Sequence, residues 1–349
     1  MRSRRVWPLI VAGVLAVAVN TGCGGSDSDS SSASSQPDAP ALKPLVDAAK
    51  KEGQLTFYSV PQEQSAQRVV DAFSEKYGID VKFQRLVSSQ LQQRYSAEAE
   101  AGAPAADLIL VSRSPFVADA EKKGWVVGPG KADIPDYPPK GFPKKYLDPK
   151  LQTGVVQLEP SVIAYNTDEV SKEDAPKDWP DLLDPKYKGK ILLVDPKGSP
   201  AYTDFWYPVL KRYGVDYLKK LRAQVSRLYP STVPLTESLA AGEGSLGLPA
   251  IGAALGPVID EGAPLDYSTP SVTSGPEIVV AISKKAKNPK AARLFAHFVM
   301  SKAGNELLNQ DKGSVSVYDS AKLPKGYSTP DHAEALKVQD QIYAAFGVD

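Results

Sequence analysis

The chain has 349 residues, with 41 basic and 41 acidic side chains, two histidines and one cysteine, and 42% of it is hydrophobic. That length allows two domains with full-sized cores, and the even charge balance gives no sign of the basic face that nucleic acid requires. A lone cysteine, Cys23, with only His297 and His332 excludes an intramolecular disulfide and a His/Cys metal cluster, so no metal and no cofactor are expected.

Arg2, Arg4 and Arg5 precede an apolar run over residues 6–19 that only Pro8 and Gly13 interrupt. The run is shorter than the roughly 20 residues of a membrane-spanning helix, so the pattern predicts a signal peptide over 1–22. Its removal takes three arginines and no acid, leaving 38 basic against 41 acidic residues. The run ends at T-G-C-G-G, residues 21–25, which resembles the processing site of bacterial lipoproteins, with Asn20 where those prefer Leu. The resemblance implies lipidation of Cys23. Residues 23–40 then predict a flexible tether. From Ser26 onward they are Ser, Asp, Ala, Gln and Pro, which cannot bury a core.

The globular part begins as alternating strands and helices. Residues 54–58, Q-L-T-F-Y, predict a strand. Ser59, Val60 and Pro61 turn it into a helix with Ala66, Val69, Val70, Phe73 and Tyr77 on one face, closed by Gly78. Ile79, Val81 and Phe83 alternate as a second strand, and a helix over residues 89–101 leads to D-L-I-L-V at 107–111. That apolar run is the pattern of a parallel strand buried on both faces, and β-α-β-α-β predicts a parallel sheet with right-handed crossovers.

The third strand stops at S-R-S-P, residues 112–115, where Ser caps a helix and Pro fits its first position. Ligands of open α/β sheets bind outside the carboxyl ends of the strands. Arg113, between Ser112 and Ser114, is therefore expected to face a ligand cleft and hold a carboxylate or phosphate in its bidentate fork. Its alternative is an ion pair with one of the chain's own acids.

Residues 131–150 are rich in Pro and Lys and predict a surface loop, and residues 154–166 are strand-like. A strand ending at Asp195 is followed by Ser199-Pro200, a second Ser-Pro cap, opening a helix to about Tyr213. Leu218, Leu221 and Val225 are expected on one face of the next helix. Residues 236–241 predict a helix, and residues 245–248 and 278–282 predict strands. The tail is expected to be helical over 289–300, 302–309 and 331–345.

Residues 51–83, 107–125, 179–196, 238–248 and 278–308 resemble an extracellular solute-binding protein of an ABC importer. W-P-D-L-L-D-P-K-Y-K-G-K-I and K-N-P-K-A-A-R-L-F-A-H-F are the most specific pieces. The nearest branch holds the ferric-iron binders and their relatives for phosphorylated or organic-anion solutes. The resemblance implies an α/β, two-lobed periplasmic-binding-protein-like fold of the second type, each lobe a mostly parallel sheet flanked by helices. Lobe 1 is expected over 41–155 plus about 277–349 and lobe 2 over 156–276, with the lobe of the C-terminal helices left open. Strands near 155–165 and 276–282 are expected to form the hinge.

Ser59 and Gln62, on the first strand-to-helix loop, are expected to hydrogen-bond a solute, whereas Glu63 fits a first-turn helix acid. Ser114 and Ser199 cap helices whose N-termini suit an anion clamped between the lobes. Tyr165, in a Tyr165-Asn166 pair like that of the family, and Tyr202 are further candidate contacts, with packing as their alternative. Ferric binders carry adjacent tyrosines after the strand matching 245–248, where this chain has Pro249-Ala250-Ile251-Gly252. G-E-G-S-L-G at 242–247 follows a helix and leads into a strand, the wrong order for a dinucleotide site, and no nucleophile-elbow, zincin or phosphate-loop motif occurs.

The expectation is a monomeric, non-enzymatic receptor, lipid-anchored at the outer face of the cytoplasmic membrane. It would deliver a small anionic solute (a phosphonate, phosphate ester or carboxylate) to a membrane permease. Ferric iron with a synergistic anion and a solute-sensing lipoprotein are the alternatives.

Overall fold

The structure, a computed structural model, describes residues 38–348. The expected signal peptide, Cys23 and most of the tether lie outside the described residues.

The chain opens with α1 (Lys43–Glu52), β1 (Gln54–Ser59), α2 (Glu63–Tyr77), β2 (Asp80–Arg85), α3 (Ser88–Glu100), β3 (Leu108–Ser112) and α4 (Pro115–Lys122). β1 pairs in parallel with β2 on one side and β3 on the other, as helical crossovers require. Leu108 to Val111 are fully buried, so the apolar run is indeed covered on both faces. Asp107, at its head, accepts from the backbone N–H groups of Thr56 (3.0 Å) and Asn288 (2.9 Å) and pins the amino edge of the sheet. β4 (Val126–Val127) and β5 (Val155–Leu158) finish this half. The Pro- and Lys-rich segment between them does more than cover the surface. Its Ala132, Ile134, Phe142 and Tyr146 are buried in the core.

The strand-like stretch 154–166 is two strands split at Glu159-Pro160, where the chain crosses to a second sheet. There β6 (Ser161–Asn166), β7 (Ile191–Val194), α5 (Pro200–Tyr213), α6 (Val215–Arg222), β8 (Val225–Tyr229), α7 (Thr232–Ala240), β9 (Leu246–Ile251), α8 (Gly252–Asp260) and β10 (Leu265–Ser268) follow. The strand order is β10-β6-β9-β7-β8, with β7 parallel to β8 and β9. Val225 opens β8 and does not extend the helix of Leu218 and Leu221, although it continues their spacing. Ile191 and Leu193 face a core with Trp179 and Trp206, while Leu192 and Val194 face another with Leu235 and Leu239. Both faces of the sheet are thus dry.

A second crossing returns the chain to β11 (Glu277–Ser283), antiparallel to β3, β4 and β5. α9 (Pro289–Met300) and α10 (Lys302–Leu308) pack on the first sheet. The Glu52 carboxylate accepts from Lys290 N–H (2.9 Å) and Ala291 N–H (2.8 Å), capping α9 from another element.

The tail crosses once more. α11 (His332–Lys337) and α12 (Gln339–Phe346), broken at Val338 where one helix was expected, pack on α5 and α6 beside the second sheet. Arg222 Nε donates to the Phe346 carbonyl (2.9 Å), and the Phe346 ring lies 4.6 Å from that of Trp206. The architecture is α/β with two sheets, each in its own lobe.

Candidate functional site

The registers fix which edges of the sheets face each other. At the carboxyl end of β3, Ser112 pairs with Ile278, beside the second crossing. At the carboxyl end of β9, Ile251 pairs with Ser161, beside the first. The carboxyl edges of both parallel sets therefore flank the crossing strands, and a cleft between the lobes has those edges as walls.

The crossings themselves are tightly tied. Glu159 N–H donates to the Pro276 carbonyl (2.9 Å), Ser161 N–H to Ser274 (3.0 Å), and Thr273 Oγ1 to the Ser161 carbonyl (2.7 Å). Gly275 is required there, since a Cβ on it would stand 2.0 Å from the Glu159 carbonyl oxygen.

The lobe 1 wall carries a set of unsatisfied groups. Ser59 Oγ, Arg85 Nε, Ser88 Oγ and Ser114 Oγ, with Ser274 Oγ on the crossing strand, are buried and have no hydrogen-bond partner. β pairing sets Ser59 directly beside Arg85, Ser88 lies in the first turn of α3, and Ser114 precedes α4. A buried polar group left unpaired costs about 1–3 kcal/mol, so the concentration of such groups makes this edge the candidate binding site. The same edge carries the N-termini of α2, α3 and α4, whose free N–H groups and partial positive charge attract an anion.

Glu159, at the first crossing between β5 and β6, is 6% exposed. Burial pushes its carboxyl up to about 7, an effect that the charge of Arg85 only partly offsets.

Among the residues singled out in the sequence, Ser59, Ser112 and Ser114 lie on this wall, and Ser59 and Ser114 are in the unpaired set. Gln62 is half-buried just ahead of α2, and its side chain makes no capping bond. Arg113 is at the expected strand end, 44% exposed, but its fork is engaged by the protein itself. Nη1 lies 3.0 Å from Glu277 Oε2 and Nη2 lies 3.8 Å from Asp148 Oδ2. The ion-pair alternative describes it. Glu277 is otherwise buried and needs that cation.

On lobe 2, Ser199 Oγ accepts from Ala201 N–H (3.3 Å) as the cap of α5, at the carboxyl end of β7. Tyr202 packs over the same edge beside Thr232, and burial raises its hydroxyl above the ordinary value. Tyr165 is a correction. It pairs with Leu246 at the opposite end of β9, is 2% exposed in the core, and donates to Asp266 (3.2 Å), so it lines no cleft.

Sequence reasoning missed Arg85, Ser88, Glu159 and Ser274. For Arg85 a signal existed: R-L-V-S at 85–88 is a strand-end cation just ahead of a helix-opening Ser, the logic applied to Arg113. Among the described residues no group of three His, Cys, Asp or Glu side chains forms a metal site.

Residues 59–306 match the family model described as bacterial extracellular solute-binding protein. An uncharacterised protein of Haemophilus influenzae is 27% identical over 287 residues, 77% of this chain and 79% of its own length. The major ferric iron-binding protein of Neisseria gonorrhoeae is 25% identical over 179 residues, 47% of this chain and 52% of its own. The periplasmic binding protein AfuA of Actinobacillus pleuropneumoniae, with exogenous fructose-6-phosphate bound, superposes at a TM-score of 0.59 and 24% identity, covering 85% of this chain and 97% of its own. Two sheets joined by crossing strands and a family match over most of the chain agree: the protein belongs to the bacterial extracellular solute-binding proteins.

Proposed function

We propose that this protein captures a small anionic solute (a phosphonate, a phosphate ester or a carboxylate) between its lobes and hands it to a membrane permease. The observation that carries this reading is the unpaired set Ser59, Arg85, Ser88 and Ser114 on an edge with three helix N-termini. Hydroxyls, a guanidinium nitrogen and backbone N–H groups are the donors that oxyanions accept from. Solute contact with both walls favours the closed arrangement, which is what a permease can distinguish. The fold tolerates such ligands, since AfuA holds a sugar phosphate. Against ferric iron stands the end of β9 and the start of α8, where Pro249 to Gly252 offer no phenolate.

The protein acts, in this reading, as a monomer held to the outer face of the membrane through Cys23. Native mass spectrometry of the purified protein is the test. A co-purified anion that is released on unfolding supports the reading. A cationic or neutral ligand, or a pink complex with one iron per chain on addition of ferric citrate, overturns it.

A further inference from the structure

Arg85 and Glu159 are near enough for the guanidinium to act on the Glu159 carboxyl, yet no hydrogen bond or ion pair joins them. Arg85 closes β2, and its Nε is buried without a partner. Glu159 begins the first crossing, and its carboxyl receives no hydrogen bond, only burial and the charge of Arg85. A buried carboxyl with no hydrogen-bond partner, close to a guanidinium nitrogen that also lacks one, is an expensive arrangement unless a third body joins them. The Ser59, Ser88 and Ser114 hydroxyls stand on the Arg85 side. On the Glu159 side, the nearby polar groups are the Ser274 hydroxyl, the Tyr327 phenol and, beyond it, Glu277. Donors that suit an oxyanion are gathered at one end and an acceptor that suits a proton donor at the other.

We infer that Glu159 is a specificity-determining residue, selecting anions that carry a hydroxyl or ammonium group beside the anionic one. The inference rests on the anion reading above. Arg85 and the serines take the oxyanion, and Glu159 accepts from the ligand's donor. An anion of the same size without that donor leaves the carboxyl buried and unmatched, and is rejected for that reason. A site built to hydrogen-bond a group discriminates strongly against the analogue that lacks it.

Isothermal titration of three matched pairs tests this: 2-aminoethyl phosphate against ethyl phosphate, glycerol 3-phosphate against propyl phosphate, and β-alanine against propionate. In at least one pair the wild-type protein should bind the donor-bearing member about 10-fold tighter or more, the effect of one satisfied hydrogen bond. Glu159→Ala should erase the preference. Glu159→Gln, isosteric and able to accept from a hydroxyl, should erase it for the ammonium probes and keep part of it for glycerol 3-phosphate. Equal affinity within every pair in the wild type, or a preference that survives in Glu159→Ala, overturns the role of Glu159 and leaves the anion reading standing. No binding of any of the six probes counts against the anion reading and takes this inference with it. Thermal melts of both variants, matching or exceeding the wild type, separate lost selectivity from lost folding.

Discussion

Arg113 Nη1 lies 3.0 Å from Oε2 of Glu277, whose side chain is 1% exposed at the point where the second crossing becomes a strand. The other oxygen of Glu277 accepts from the Tyr327 hydroxyl (3.2 Å). The cation between β3 and α4 therefore holds the crossing strand against the wall. Arg113→Ala strips a buried carboxylate of its cation and should destabilise the ligand-free protein by about 1–3 kcal/mol, below the full value for a buried pair because Arg113 is half exposed. Chemical denaturation of Arg113→Ala, Glu277→Gln and the double variant measures it. The double variant should be less destabilised than the sum of the singles, and strict additivity would show the pair to be idle.

Arg85 should behave in the opposite way. Its Nε has no protein partner, so Arg85→Ala removes little that folding uses. Loss of a charge-assisted contact of roughly 1.5–3 kcal/mol corresponds to about a 10- to 150-fold weaker affinity for the co-purified solute. Arg85→Lys should restore only part, because an ammonium keeps charge without the planar fork. Titration beside a ligand-free melt checks both halves, and unchanged affinity would remove Arg85 from the site.

The pH dependence of stability should carry the mark of Glu159. Its carboxyl is raised from an ordinary 4.5 to about 7 in the folded protein. The folded state thus keeps a proton that the unfolded chain releases, so this contribution is complete below about pH 4.5 and is lost as pH rises through about 7. The loss, complete above that range, is about 3 kcal/mol at most. Glu159→Gln cannot ionise, so its melting temperature should fall less than that of the wild type between pH 5 and 8. Parallel profiles would show that the carboxyl is solvated.

Gly275 tests the crossing itself. A methyl group there would overlap the Glu159 carbonyl, so Gly275→Ala must push the two crossing strands apart. The expected loss is about 1–3 kcal/mol of stability together with weaker solute binding. A melt and a titration unchanged from the wild type would mean that the crossings have room to spare.

The anchor is tested by Cys23→Ser. This substitution of the chain's one thiol should move the protein from the membrane fraction to the soluble one, read by fractionation and immunoblot. Wild-type protein found soluble with a free thiol would end the lipoprotein reading.

Much of this fold is legible residue by residue. D-L-I-L-V announces a doubly buried strand, and the helix over 289–300 has the bounds its pattern predicts. β8 is hidden because Val225 continues the helical spacing of Leu218 and Leu221, and only the break at Ala223 and Gln224 reveals the change of period. Phe142 and Tyr146 hide among prolines and lysines that suggest solvent. The site is harder still. Arg85 closes β2 and Arg113 follows β3, the two strands that flank β1, and local sequence cannot say which one meets a carboxylate of its own chain. That depends on Glu277, 164 residues away from Arg113.

The odd number of crossings has a mechanical result. The described chain starts in α1 on lobe 1 and, after crossing three times, finishes in α12 on lobe 2. A leash pulling at the amino end grips lobe 1 alone, and lobe 2 becomes the jaw that swings. A fluorescent or affinity label fused behind α12 travels with that jaw, so one dye on α1 and another behind α12 form a ruler for its stroke.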